Sequence, residues 1–159
     1  MDIQILIGLI LTILPVVELR GGLPVIIEYA LRNNINFWPY FAAVLILNIL
    51  VIFFVFFFLD FLHNSFMRLG FYKKFMDKYL ENVRRKADKV QKKMISGLGF
   101  IALCIFVAVP LPGTGAWTGS FVAWVLGLKR WKSILAISAG VIIAGFIILL
   151  ASLGFFKAR

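Results

Sequence analysis

Apolar residues along the chain form four extended runs, two short and two long, separated by polar breaks. The short runs, Ile3–Leu14 and Leu98–Val109, have 12 residues each. As helices they extend about 18 Å, too little for a hydrocarbon core of about 30 Å. The long runs, Tyr40–Leu62 and Ser133–Phe156, are long enough to cross it. The pattern therefore predicts two half-length helices and two full transmembrane helices.

Each short run ends in a break that is rich in proline and glycine. The first break is Pro15–Val25 (PVVELRGGLPV) and the second is Pro110–Gly119 (PLPGTGAWTG). Proline lacks the N–H and clashes with the preceding turn, and glycine adds backbone freedom, so both interrupt helices. A second short helix is predicted after each break, over Pro24–Leu31, with its proline in the first turn, and over Gly119–Leu128.

The two halves of the chain, residues 1–62 and 97–159, repeat one order of elements: short helix, break, short helix, polar loop, full span. A shift of 95 residues places Pro15 on Pro110. Residues 63–96 join the halves and mix apolar and basic residues at near-helical spacing. This spacing predicts an amphipathic helical linker, either on the membrane surface or solvated.

The composition indicates an integral membrane protein with one domain. Hydrophobic residues make up 62% of the chain and the mean hydropathy is +0.99, whereas soluble domains are roughly 45–50% apolar. The first apolar run follows Asp2 and carries no basic residue, unlike a signal peptide, so we expect the segment to be retained.

The net charge of +10 is concentrated in the linker. Arg68–Lys93 holds ten Lys or Arg against three acidic residues, a net charge of +7. Between membrane segments such a run marks the cytoplasmic side and attracts anionic lipid head groups. Nucleic acid is not an expected partner.

The repeat is compatible with two topologies. If each broken segment crosses the membrane, Lys129–Lys132 lies opposite the basic linker. If each is a re-entrant hairpin that returns to its starting side, Lys129–Lys132 joins the linker in the cytoplasm, as the positive-inside rule requires. We favour hairpins, one entering from each side, as an inverted repeat whose tips meet near the midplane. Non-helical backbone there must be satisfied by protein or water.

The two breaks are the predicted substrate and proton site. In transporters, discontinuous helices direct their N-termini at anionic substrate groups, so we expect free N–H groups of both second helices to point at the centre. The candidate residues are Glu18, Arg20, Gly21, Gly22, Pro24, Glu28, Pro110, Pro112, Gly113, Thr114, Gly115, Trp117, Thr118 and Gly119, with a further hydroxyl from Ser120.

Glu18 and Arg20 are the charged residues of this site. Arg20 offers a planar donor fork suited to phosphate or carboxylate. Glu18 is the expected proton carrier, ionised while paired with Arg20 and protonated when an anionic substrate engages that partner. Glu28 is a second candidate. The alternative is that Glu18 and Arg20 only neutralise each other, although an intramembrane charge costs at least about 2.5–3.5 kcal/mol and so argues for a use.

No catalytic or metal-binding set is recognisable. The chain has one histidine and one cysteine, no Gly-x-Ser-x-Gly and no Walker loop. Cys104 lies in an apolar run and is expected to pack there. We therefore expect neither an enzyme nor a cofactor, and no ATP-driven transport by this chain.

At the two breaks the sequence resembles the small multi-drug export protein family, over nearly the whole chain. That resemblance implies efflux. More remotely, the plan is similar to the DedA/VTT (SNARE-associated) superfamily, which implies facing re-entrant hairpins, proton dependence and, in some members, movement of polyprenyl phosphate or other lipids. By that resemblance Glu18 and Arg20 occupy the places of the acidic and basic hairpin residues. The departure is Val109–Ser120, which has no charge where DedA proteins carry an arginine.

The prediction is thus an all-α integral membrane protein: an inverted repeat of re-entrant hairpin plus transmembrane helix, joined by a basic cytoplasmic linker. The favoured function is proton-linked transport of a small or lipid-like, phosphate-bearing substrate across the cytoplasmic membrane. Two alternatives stay open: efflux of small cationic drugs, using Glu18, Trp117 and Trp124, and a non-transporting membrane scaffold. Homo-oligomerisation through the small residues of the last span, such as Gly140, also stays open.

Overall fold

A computed structural model describes residues 2–66, 97–111 and 113–157. Within these ranges the chain is entirely helical. The helices are α1 (Ile3–Ile13), α2 (Glu18–Arg32), α3 (Trp38–Phe66), α4 (Leu98–Ala108), α5 (Ala116–Val125) and α6 (Arg130–Lys157). The predicted linker helix lies outside the described residues beyond Phe66, and so does Pro112.

The predicted division into short and long helices is confirmed. The short helices α1 and α4 end within one residue of their predicted limits. The helices α3 and α6 have 29 and 28 residues, and in both an apolar stretch is long enough to cross a membrane by length and composition. Two of the six described helices are therefore candidate spans.

The predicted start of α2 at Pro24 is wrong. The helix begins at Glu18, so Pro24 lies inside it, where it gives no N–H to the carbonyl of Arg20. This loss is tolerated because Leu19, Leu23 and Ile26 form a continuous buried stripe across the proline. The helix α5 also begins earlier than predicted, at Ala116 instead of Gly119.

The helices α1 and α2 pack closely and antiparallel, as a helical hairpin. A Cβ atom at Gly22 would overlap the Gly8 carbonyl oxygen and the Thr12 hydroxyl, and a Cβ at Gly8 would meet Ile26. The buried Thr12 hydroxyl donates to the Gly8 carbonyl at 2.9 Å. Small residues let the two backbones approach, which is how helices associate where lipid removes the hydrophobic driving force.

The long helices α3 and α6 also run antiparallel. Phe41 near the start of α3 lies against Phe146 in the second half of α6, with ring centroids 5.2 Å apart. At the opposite end of the molecule, Asp60 of α3 forms an ion pair with Arg130 at the start of α6. The end of α3 and the start of α6 therefore lie at one end of the molecule.

The helix α4 packs on α6 and faces α5. A Cβ atom at Gly140 of α6 would lie 2.7 Å from the Cys104 carbonyl oxygen, and one at Gly119 of α5 would lie 2.7 Å from a Val107 methyl group. The two hairpins, α1–α2 and α4–α5, thus pack against the long helices. The described residues of their turns, 14–17 on one side and 109–111 with 113–115 on the other, point at each other.

Candidate functional site

The two turns meet near the middle of α3. The Trp117 ring, at the start of α5, lies 6.1 Å from the ring of Phe54, which is close to the midpoint of α3. The Trp117 indole N–H donates across to the Ile13 carbonyl at the end of α1, at 3.0 Å. Contacts between the turns therefore form far from both ends of α3.

The first turn has an unusual backbone. Val16 and Glu18 both have positive φ angles, 79° and 48°. The left-handed region is unfavourable for residues with a Cβ and most of all for a β-branched one, so it persists only where the surrounding structure holds it. Within this turn the Glu18 N–H donates to the Leu14 carbonyl at 3.0 Å, and the Glu18 side chain binds the second hairpin.

Glu18 binds the N-terminus of α5. Its side chain is 4% exposed, and its two oxygens accept the backbone N–H groups of Trp117, at 3.1 Å, and Ala116, at 3.3 Å. A carboxylate at this position satisfies two unpaired helix donors and interacts favourably with the helix dipole. A Cβ at Gly115 would overlap the carboxylate, so this approach requires a glycine at position 115.

Arg20 binds the carbonyl groups at the other side of the second turn. Its guanidinium donates to the carbonyls of Leu111 and Val109, the latter at 3.4 Å, and to the Thr114 hydroxyl at 2.8 Å. That hydroxyl donates in turn to the Val109 carbonyl at 2.7 Å. Both carbonyls lie beyond the end of α4 at Ala108. Each already accepts one backbone N–H within the turn, from Leu111 at 2.8 Å and from Thr114 at 3.2 Å, and Arg20 adds a donor because a carbonyl oxygen has two lone pairs.

Glu18 and Arg20 do not form an ion pair with each other. The ion pairs of the described residues are Glu28–Arg32 and Asp60–Arg130. Both residues instead bind backbone groups of the second hairpin. Glu18 accepts from its N–H groups, and Arg20 donates to its carbonyl groups. The N–H groups at the start of α5, expected to be free, are instead bound by Glu18. The predicted ion pair between Glu18 and Arg20 is therefore wrong, both as the contact that keeps Glu18 ionised and as a pairing that only neutralises two charges.

A cavity of about 100 Å³ lies between the turns. Eight residues line it: Pro15, Val16, Glu18, Arg20, Gly113, Thr114, Trp117 and Thr118. Pockets for drug-sized ligands usually have about 300–1,000 Å³, so the turns are closed upon each other. No group of three or more His, Cys, Asp or Glu placed to hold a metal ion occurs among the described residues.

Several predicted site residues lie away from this cavity. Gly22 faces α1, Gly119 faces Val107, and a Cβ at Gly21 would meet Val17 of its own turn. Glu28 lies ten residues beyond Glu18 on α2, about 15 Å away along the helix axis. Its carboxylate pairs with Arg32 at 2.6 Å. Pro24 and Pro110 do not line the cavity either, and Pro110 is exposed. The Ser120 hydroxyl is buried outside the cavity lining and has no hydrogen-bond partner among the described residues.

Two features were not predicted from the sequence: the backbone carbonyl groups of the site and a cluster of side chains at one end of the molecule. The Leu111 and Ile13 carbonyls have no side-chain signature, although Pro110 indicates that nearby carbonyls lose their helical donors. At the end of the molecule, Asp60 accepts from the Trp124 indole at 2.8 Å and pairs with Arg130. The Arg130 guanidinium also lies over the Phe56 ring, 5.3 Å from its centroid. Pairing of Asp60 with Arg130 requires the antiparallel arrangement of α3 and α6.

Two long apolar helices and two short helical hairpins, with a charged contact between their turns, indicate a membrane protein that is helical throughout its described residues. The chain belongs to the family described as "Putative small multi-drug export protein", whose model matches residues 18–147. The match begins at Glu18, directly after the first turn, and covers the second turn and most of α6. No curated protein and no solved structure matches the chain, so the remote resemblance to DedA proteins stays a prediction.

Proposed function

We propose that this protein is a proton-linked membrane transporter in which an anionic, lipid-like or phosphate-bearing substrate passes between the two turns. One observation carries the proposal: a buried carboxylate, Glu18, occupies the N-terminus of α5 with both oxygens. Helix N-termini bind anions. The Glu18 carboxylate therefore occupies an anion-binding site, and a substrate anion can bind there when Glu18 leaves it.

The proposed membrane arrangement is an inverted repeat. The hairpins α1–α2 and α4–α5 are re-entrant, each opening to one side, and α3 and α6 span the bilayer. The position of Trp117 beside Phe54 supports a meeting of the turns near the midplane. The Asp60–Arg130 pair supports placing Lys129–Lys132 on the same side as the end of α3, which with the basic linker is the cytoplasmic side.

Protonation of Glu18 is the proposed coupling step. A neutral carboxyl interacts more weakly with the helix dipole and with backbone donors than a carboxylate does. Once protonated, Glu18 releases the N–H groups of Ala116 and Trp117. The helix end and the nearby Arg20 then present a net positive site. A substrate anion and a proton thus occupy the site together, and deprotonation of Glu18 expels the anion.

Arg20 has two proposed roles in this cycle. In the closed state it holds the second turn through Leu111, Val109 and Thr114. When the turns separate, its planar donor fork becomes available to phosphate or carboxylate. In the closed state Arg20 is bonded only to neutral acceptors, namely two carbonyls and a hydroxyl. A substrate anion is a better acceptor, because hydrogen bonds with an ionised partner are roughly twice as strong as those between neutral groups.

The test is substrate-driven proton flux in proteoliposomes that contain a pH-sensitive dye. Farnesyl phosphate is the anionic probe and ethidium the cationic one. We expect farnesyl phosphate to drive proton movement with the native chain. Glu18→Gln is expected to abolish that movement because the coupling group no longer titrates, and Arg20→Ala is expected to abolish transport because the anion loses its donor fork.

The matched control is Glu28→Gln, on the same helix but outside the cavity, and it is expected to leave the flux unchanged. If Glu18→Gln and Arg20→Ala both transport like the native chain, the site assignment is wrong. If Glu28→Gln abolishes the flux as well, Glu18 has no special role.

A second candidate function, export of small cationic drugs, is favoured by the description of the family. In that case Glu18 binds the cation directly and Trp117 contributes an aromatic face. Proton flux driven by ethidium but not by farnesyl phosphate, and lost in Glu18→Gln, would establish this function in place of the first.

The topology has its own test. Single cysteines at Asn34 and Lys129, introduced after Cys104→Ser, are exposed to a membrane-impermeant reagent from each side. Re-entrant hairpins predict that Asn34→Cys reacts only from outside and Lys129→Cys only from the cytoplasm. Reaction of both from one side contradicts the inverted repeat.

A further inference from the structure

The second hairpin contains an open apolar groove that the turn site does not use. It lies between α4 and α5 and has a volume of about 280 Å³. Ala102, Leu103 and Phe106 line one wall, and Val122 and Leu126 line the other. The two helices touch near their turn, where Gly119 faces Val107, and they separate toward the end of the molecule.

The first hairpin has a polar pocket between the outer ends of its helices. It has a volume of about 220 Å³, and its lining includes Gln4, Glu28 and Arg32. Nearer the turn this hairpin is closed. There Gly8 and Gly22 bring α1 and α2 so close that a Cβ at Gly22 would overlap the backbone of α1. The repeated plan of the chain does not require a gap between the hairpin helices. Of these two inter-helix pockets in the described residues, only the one in the second hairpin is lined entirely by apolar residues.

Positive charge lies at the open end of the groove. Leu128 lines the groove there, and the next residue is Lys129, which is exposed and has no ion-pair partner among the described residues. Adjacent Cα atoms are 3.8 Å apart, and the lysine stem is long and flexible. The mouth of the groove is therefore within the reach of its ammonium group.

We propose that this groove binds one acyl chain of an anionic phospholipid from the adjacent leaflet, with the lipid phosphate at Lys129. An apolar slot with a cation at its outer end matches a molecule with an apolar chain and an anionic head. The orientation is that of the bilayer, with the head at the surface and the chain toward the midplane. This site goes beyond the proposed transport function and does not depend on Glu18 or Arg20.

The groove also leads toward the turn cavity. Val122 lies four residues after Thr118 on α5, so both side chains share one helix face, about 6 Å apart along the axis. Thr118 lines the turn cavity and Val122 lines the groove. The end of a bound chain thus comes within about one helical turn of the cavity.

Photo-crosslinking in liposomes tests the proposal. The full-length protein is reconstituted in phosphatidylcholine that contains a trace of phosphatidylglycerol with a diazirine on one acyl chain, and the modified residues are mapped by mass spectrometry. We expect crosslinks to concentrate on Leu103, Phe106 and Val122. Excess unlabelled phosphatidylglycerol should compete with them better than excess phosphatidylcholine does.

Two matched variants sharpen the result. Ala102→Phe fills the groove and should remove these crosslinks, whereas Ala151→Phe, at an exposed alanine of α6, should leave them unchanged. Lys129→Gln should lower the preference for phosphatidylglycerol about fivefold, which corresponds to the roughly 1 kcal/mol of one basic residue near an anionic surface.

The outcomes separate this inference from the proposed function. Crosslinks that persist in Glu18→Gln while its proton flux is lost support a separate lipid site. Labelling of the groove no stronger than labelling of the exposed Phe57 overturns the lipid site, even where Glu18-dependent flux stands. Equal competition by both lipids overturns the role of Lys129 and with it the preference for an anionic lipid.

Discussion

The two hairpins follow one plan but contribute different chemistry. The first, α1–α2, carries both charged residues of the turn contact and is closed on itself through Gly8 and Gly22. The second, α4–α5, has no charged residue across its turn, Val109–Ser120. It contributes backbone donors to Glu18 and backbone acceptors to Arg20, and it leaves a groove between its helices.

The difference shows that a buried acidic and a buried basic side chain can both find hydrogen-bond partners in a hairpin that carries no charge at its turn. A broken helix exposes donors at the start of one segment and acceptors at the end of the other. Glu18 binds the first set and Arg20 the second. The uncharged hairpin is therefore complementary to the charged one because its backbone is interrupted, and four experiments test this division.

The largest expected effect concerns the packing of the two hairpins. Gly22→Ala should lower the free energy of unfolding by about 2–3 kcal/mol, because its new Cβ meets backbone that cannot move aside. Gly119→Ala should cost less, since its Cβ meets a side-chain methyl of Val107. Denaturation in one detergent measures both.

Gly154→Ala is the control, because nothing lies within 4 Å of the Cβ it would add. It should be neutral or stabilising by up to about 1 kcal/mol, the helix preference of alanine over glycine. Equal losses for Gly22→Ala and Gly119→Ala would remove the contrast between a closed and an open hairpin.

The next effect concerns the capping of α5 by the first hairpin. Glu18→Ala should cost about 1–2 kcal/mol, as for loss of a helix cap, because two N–H groups lose their acceptor. Glu18→Gln keeps an acceptor oxygen and should cost less. Glu28→Ala, at an exposed pair on the same helix, serves as the control with little loss. A Glu18→Ala protein as stable as the native one would contradict the capping role.

The contact of Arg20 with the second turn predicts a smaller effect. Thr114→Val removes a hydroxyl that accepts from Arg20 and donates to the Val109 carbonyl, so we expect a loss of about 1 kcal/mol. Thr118→Val is a matched change in the same cavity, at a hydroxyl that forms no hydrogen bond within the described structure. Thermal unfolding of the two variants side by side should separate them, and identical midpoints would argue against this bond.

The smallest effect is expected at the end of the molecule, outside both turns. The Asp60–Arg130 side chains are 39% and 49% exposed, so Asp60→Asn should lower stability by less than about 1 kcal/mol. Glu28→Gln, at the exposed pair on α2, should change it by a few tenths at most, roughly 0.3–0.5 kcal/mol. A loss at Asp60 that exceeds the loss in Glu18→Ala would mean that the ends, not the turns, hold the hairpins together.

The elements of the fold could be predicted because each depends on local composition. Run length separated α1 and α4 from α3 and α6, and proline and glycine marked both turns. The start of α2 could not be predicted, since Pro24 is a correct local signal for a first turn. Packing of Leu19, Leu23 and Ile26 and the contact of Glu18 with α5 extend the helix past it.

The partners within the candidate site could be predicted only in part. Glu18 and Arg20 stood out because charge inside an apolar stretch is costly. Their partners did not, because a carbonyl or an N–H group is the same in every residue. Which of these groups is free depends on where helices end and which turns face each other.

By itself, the sequence determined four apolar helices of two lengths, two interrupted turns, and a carboxylate and a guanidinium two residues apart in one of them. The tertiary structure alone decided that these two charges bind the opposite turn instead of each other. The physical reason is that the antiparallel packing of the hairpins brings backbone N–H and carbonyl groups of one turn within hydrogen-bonding distance of the charged side chains of the other. These hydrogen bonds join residues about 90–100 positions apart. They depend on the packing of the hairpins, so no local sequence pattern predicts them.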